Sequence, residues 1–226
     1  TKVRNSENFS NLSKLIYLQN KFNLNELLND YPEYKTIIGS NGKEKRLTTN
    51  IFSQLNVFSE TQQDLTDIKI YGLINNVRQF RFIPEKYLEP NQSTTTYKVV
   101  LPKSNGSPAV GESVNTPVIG EPIVLPPQTG YTQSFIGIGR FKTNVEAQAA
   151  LKYTKSKFAR MLLGTLKVTQ DNNIDTWDNV PLQNFTPNSD IVWTKPISEI
   201  DQHLYNKYGL TDKEIDFIES MIQPME

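Results

Sequence analysis

The stretch IKIYGLINNVRQFRFI, Ile68 to Ile83, decides the fold class. It divides into two runs, IKIYGL and VRQFRFI, whose apolar, aromatic and β-branched residues are strand formers. Asn75-Asn76 lies between them, and asparagine tolerates the left-handed backbone of a tight hairpin turn. Along the second run Arg78, Phe80 and Phe82 take one side, and Gln79, Arg81 and Ile83 the other. An antiparallel β-hairpin is the prediction. Downstream, TYKVVL (Thr96 to Leu101) and SFIGIGRF (Ser134 to Phe141) have the same character and widen the hairpin into a sheet. The proline-rich stretch from Pro102 to Gly130 is too long for a simple connector, so it reads as a functional surface loop or a mobile one.

Helix signals flank the strands. Thr143 and Glu146 form the T-x-x-E pattern of a capping box, followed by apolar Ala147, Ala150, Leu151, Phe158, Met161 and Leu162, with Gly164 as the stop. Projected at about 100° per residue, these apolar positions share one arc, while Lys152, Lys157 and Arg160 fall opposite and Lys155 on the edge. One long helix with a basic outer face is therefore expected. Pro196 to Tyr208, closed by Gly209, and a last helix capped by Thr211 and Glu214 follow. Near the N-terminus, helices are expected over Leu12 to Leu18 and Leu24 to Leu28, the latter stopped by Tyr31-Pro32. The expected class is α+β: a mixed, mainly antiparallel twisted sheet with a long packed helix and helical elements at both ends. Residues 1–60 read as a peripheral, mostly helical subdomain and residues 61–226 as the main domain.

Composition removes several classes of function. The chain has no cysteine, which excludes disulfides, thiolate chemistry and cysteine zinc sites and suits a cytoplasmic protein. No apolar run approaches the roughly 20 residues of a membrane span, so no membrane partner is expected. The 24 basic residues balance 24 acidic ones, leaving no global field that attracts a polyanion. The charges are segregated, however: seven bases and one acid lie between Arg140 and Lys167, and seven acids and three lysines between Lys195 and Glu226. The chain begins with Thr, as a piece cut from a longer protein would.

Catalytic patterns fail one at a time. F-x-G-x-G at Phe135 to Gly139 has the look of a glycine-rich cofactor loop, but the acid expected about 20 residues later is missing. A buried strand with two packing glycines accounts for it better. No Asn-Pro-Pro-Tyr or Asp-Pro-Pro-Tyr tetrapeptide, the element that holds a flipped adenine, occurs. Glu33-x-Lys35 resembles the tail of a magnesium nuclease motif, but its upstream acid, Asp30, is too near to sit on a separate strand. His203, the single histidine, has no cysteine or second histidine to work with. The chain itself is expected to be non-catalytic and to hold no cofactor.

Four segments in fixed order carry a resemblance: IYGLINNVRQFRFIP (Ile70 to Pro84), KVVLPKSNGSPAVGE (Lys98 to Glu112), EAQAALKYTKSKFARMLL (Glu146 to Leu163) with NVPLQNF (Asn179 to Phe185), and IDQHLYNKYGLTDKEIDFIESMI (Ile200 to Ile222). RLTTN (Arg46 to Asn50) adds a fifth, less specific one. Together they are similar to the C-terminal target recognition domain of bacterial adenine-specific DNA methyltransferases of type II restriction-modification systems, itself related to the recognition domains of type I specificity subunits. The resemblance implies sequence-specific binding of double-stranded DNA against the methyltransferase catalytic domain of a parent chain. That parent would use S-adenosylmethionine and could be fused to a restriction endonuclease.

Residue chemistry and resemblance meet at two places. The turn after Pro102 offers Lys103, Ser104, Asn105 and Ser107, a cation, an amide and hydroxyls able to meet phosphate or a base edge. The basic helix face of Lys152, Lys155, Lys157 and Arg160 would track phosphates, with Arg78 and Arg81 on the hairpin as further candidates. A subunit-docking module, or less simply a nuclease domain, are the competing expectations.

Overall fold

The computed structural model describes the chain except residues 1, 7–8, 19, 39–44, 105–116, 168, 170 and 226. Among the described residues seven strands form two sheets: β1 (Ile16–Tyr17), β2 (Ile68–Ile74), β3 (Val77–Ile83), β4 (Tyr97–Pro102), β5 (Ile123–Leu125), β6 (Thr129–Tyr131) and β7 (Phe135–Phe141). One sheet has the antiparallel order β1-β7-β4-β5; the other has the order β3-β2-β6, with β2 and β6 parallel. The α+β class is as expected, but two sheets replace the single one. They face each other across Tyr71, Val100, Leu125, Tyr131 and Phe135. The Tyr71 ring lies 4.5 Å from Phe135 and 4.9 Å from Phe80, the tilted aromatic packing that suits a thin inter-sheet layer.

The hairpin is as the sequence reads: Ile74 pairs with Val77, and Asn75 and Asn76 both have positive φ, 50° and 63°. Helices α1 (Leu24–Asp30), α2 (Tyr34–Ile38) and α3 (Ile51–Gln54) cover the outer face of this sheet. Phe22, Leu27, Leu47 and Ile51 share that core with Ile68, Ile70, Ile83 and Tyr87, so residues on both sides of position 60 belong to one core. The other sheet is covered by α4 (Asn144–Lys155) and α5 (Lys157–Gly164), and these in turn by α6 (Ile197–Lys207) and α7 (Asp212–Met221). Ala147, Ala149 and Ala150 bring α4 close to Val99, Leu101, Ile136 and Ile138. Among the described residues no helix is long and apolar enough to cross a membrane.

Two expectations fail. Leu12 to Leu18 is not a helix: a 3-10 turn over Leu12–Leu15 leads into β1, because Ile16 and Tyr17 pair with Ile138 and Gly137 at the edge of β7. A short segment with a strand edge within reach gains more from pairing than from a marginal helix. The long helix from Thr143 keeps its capping box but breaks at Ser156, whose ψ is 146°. The Ser156 hydroxyl then accepts from Ala159 N and starts α5 afresh.

Candidate nucleic-acid interface

At one end of the paired sheets several polar loops converge. The end of β4 runs beside the start of β7: Pro102 pairs with Phe135, and Lys103 N donates to the Ser134 carbonyl at 2.8 Å. The Ser134 hydroxyl donates to Thr49 Oγ1 at 3.0 Å, and Gln133 N donates to the Leu47 carbonyl at 2.8 Å. Segment 46–50 therefore lies against the Lys103 strand end. On the other side Asn172 N donates to the Lys103 carbonyl at 2.6 Å, and Ser104 bridges to Asp171.

The hairpin reaches the same end. β6 runs parallel to β2 through Tyr131 and its chain continues directly to Gln133 and Ser134, so Gly72 to Ile74 extend toward that loop. Arg78 Nη1 donates to the Glu121 carbonyl at 3.1 Å, and neighbouring Gly120 abuts the Pro102 ring so closely that an added Cβ would lie 2.7 Å from it. Arg46, Asn50, Asn75, Asn76, Arg78 and Ser104 are all exposed here. Cations, amides and hydroxyls at one loop end form a surface able to bind phosphate and read hydrogen-bonding edges. Thus Lys103, Ser104 and Arg78 share one region. Asn105 and Ser107 lie outside the described residues.

The basic helix face is largely covered, which corrects the expectation for Lys155, Lys157 and Arg160, while Lys152 stays half-exposed. Arg160 is 2% exposed; its Nε donates to the carbonyls of Lys155 (2.9 Å) and Ser156 (3.3 Å), and its Nη2 to that of Gln223 (2.8 Å). Burial pulls its pKa down to about 10, with the Asp201 carboxylate acting the other way. Lys155 is also buried and pairs with Glu121, and Lys157 pairs with Glu219. Lys152 donates to the carbonyls of Thr194 and Lys195. The cause is a second helical layer: α6 and α7 cover the arc that a single amphipathic helix would present to water. Arg81 is set apart as well, half-buried and paired with Glu60 at 3.0 Å.

Asp201, which the sequence did not single out, organises the helix break. Its carboxylate accepts from Lys157 N at 3.0 Å and Phe158 N at 2.9 Å, supplying the first turn of α5 with an acceptor from another helix. Burial raises its pKa to about 6 against the pull of those two N–H groups. Lys98 is likewise a hidden charge: it is fully buried and donates to the carbonyls of Ser93 (2.8 Å), Thr96 (2.9 Å) and Pro126 (3.2 Å). Burial lowers its pKa to about 7. Neither residue had a local signal, because their partners lie on other elements.

The other chemical patterns are explained by packing. F-x-G-x-G is the buried strand β7: a Cβ at Gly137 would lie 2.5 Å from the Tyr131 hydroxyl, and one at Gly139, where φ is +76°, 2.2 Å from the Phe141 ring. These glycines make room for aromatic side chains and offer no cradle to a cofactor. Asp30, the acid upstream of Glu33, accepts from Lys86 at 2.6 Å and the Tyr87 hydroxyl at 2.7 Å, which lower its pKa to about 2. Among the described residues no group of three acids or histidines is placed to hold a metal ion. No protein-family model, no curated protein and no solved structure matches this chain.

Proposed function

We propose that this chain is a target recognition domain, binding double-stranded DNA through the loop end of its two sheets for an adenine-specific methyltransferase of a restriction-modification system. One observation carries the reading. RLTTN and the Lys98 to Glu112 segment, far apart in sequence and both part of the resemblance, meet at the Thr49–Ser134–Lys103 contact. In this reading Lys103, Arg78 and Arg46 hold phosphates, and Ser104, Thr49 and Asn50 supply short-range hydrogen bonds. S-adenosylmethionine and the base chemistry belong to the parent's catalytic domain.

Fluorescence anisotropy with a labelled mixed-sequence duplex at low and moderate salt tests it. Binding should weaken steeply with salt, and Lys103→Ala and Arg78→Ala should each reduce the salt slope by about one. A wild-type chain with no salt-dependent binding would overturn the proposal. A groove of about 490 Å³ between α5 and α7, with Phe217 55% exposed on its wall beside Met161 and Leu162, favours a second reading in which the C-terminal helices dock onto the catalytic domain. Docking alone predicts no DNA binding by the isolated chain.

A further inference from the structure

The β2–β3 hairpin extends past the sheet that supports it. β6 pairs with Lys69 to Tyr71 and goes no further, so Gly72–Gln79, Leu73–Arg78 and Ile74–Val77 form a two-stranded ribbon beyond it. Leu73 shares a face with Tyr71 and packs into the layer between the sheets, while Arg78 opposite it is anchored at Glu121. The root is thus fixed. The tip is open: Asn75, Asn76 and Arg78 are exposed, and Val77 is 58% exposed.

Turn geometry does not by itself account for the two tip residues. With both φ values positive, the favoured pair is Asn-Gly, since glycine carries no cost in the left-handed region. This chain has Asn at the second position, where φ is 63°. A carboxamide is therefore present where the backbone would be better served by none. A two-stranded β-ribbon also fits the DNA major groove, where a carboxamide can make paired hydrogen bonds to adenine N6 and N7.

We propose that the Asn75–Asn76 tip is a base-reading element that enters the major groove, its carboxamides hydrogen-bonding to base edges while Arg78 and Lys103 at its root hold the flanking phosphates. This deepens the DNA-binding reading and rests on it. The test exploits the turn itself: glycine suits both left-handed positions, so Asn75→Gly/Asn76→Gly removes the amides and keeps the hairpin. Wild type and variant would each be used to select duplexes from a randomised library, and each would be melted to confirm folding. The wild type should enrich defined bases. The variant keeps every cation, so its binding to mixed duplex should keep its salt dependence, while its preference at one or two base pairs falls by about 5- to 100-fold. A variant that keeps the full preference overturns this inference and leaves the DNA-binding reading standing; a wild type that binds with salt dependence yet selects no bases overturns this inference and target recognition with it, leaving duplex binding alone. A wild type that binds no duplex overturns both.

Discussion

Replacing Asp201 should weaken the junction where α4 ends and α5 begins. The carboxylate is 3% exposed and satisfies two backbone N–H groups, Lys157 N and Phe158 N, at a helix start. Leaving a buried donor unmet costs about 1–3 kcal/mol each, so Asp201→Ala should lose about 2–6 kcal/mol at pH 4, where the wild-type carboxyl is protonated, and about 2–3 kcal/mol less than that at pH 7, where the variant is relieved of a buried charge. In a chain of this size each kcal/mol corresponds to about 2–4 °C, which gives a fall in melting temperature of about 4–24 °C at pH 4. Asp201→Asn keeps an acceptor and should lose less. The pH dependence separates charge from shape. The folded carboxyl titrates near 6 and the unfolded one near 3.8, so the folded state binds the extra proton between these values. Stability from this group is fully present below about pH 4 and is lost as pH rises through about 6. Asn mimics the protonated acid, so its stability should gain on the wild type by about 2–3 kcal/mol between pH 4 and 7. Thermal melts of the three proteins at pH 4, 5, 6 and 7 measure both effects. An Ala variant melting within about 2 °C of wild type at pH 4, or an Asn–wild-type difference that is flat with pH, would refute the reasoning.

Other perturbations follow from the same contacts. Glu121→Gln removes an exposed carboxylate from the residue whose carbonyl holds Arg78, and should raise affinity for mixed duplex several-fold; unchanged anisotropy titrations would place Glu121 off the DNA path. Lys98→Met takes the donor from one buried and two part-buried carbonyls and should lower the unfolding free energy in urea by about 1–3 kcal/mol at pH 7. Because the folded ammonium titrates near 7, below its unfolded value of 10.5, wild-type stability should rise from about pH 7 to 10, and the Met variant should lose that rise. Equal pH profiles for the two would count against a buried titrating lysine. Gly139→Ala forces a side chain into the left-handed region against the Phe141 ring and should cost about 2–4 kcal/mol; a wild-type melting curve for this variant would contradict that packing.

The sequence made plain whatever depends on neighbours in the chain. Ile68 to Ile83 carries its own period and turn, and it folds as those features require. The Thr143–Glu146 and Thr211–Glu214 boxes cap the helices they precede, and Gly209, with φ of +60°, ends α6 as expected. β5 and β6, at three residues each, are too short to show a period, and β1 exists only because β7 has an edge for it. The break at Ser156 is hidden because the apolar spacing runs through it, while the carboxylate that stabilises it lies 44 residues beyond Lys157, at Asp201.

The misread basic face has a different cause, and the sequence held the means to avoid it. An arc projection assigns polar residues to water because it assumes that the helix has one covered side. The segregation of charge argued otherwise: seven bases between Arg140 and Lys167 and seven acids after Lys195 are what two mutually packed layers require. Lys157 meets Glu219, and Arg160 lies in the field of Asp201. Freeing Arg160 for phosphate would take the opposite charge away from buried Asp201, at a cost that one exposed phosphate contact does not offset. The cations open to DNA are therefore to be sought where loops of different origin meet, around Arg46, Arg78 and Lys103, rather than along the helix that carries the greatest density of positive charge.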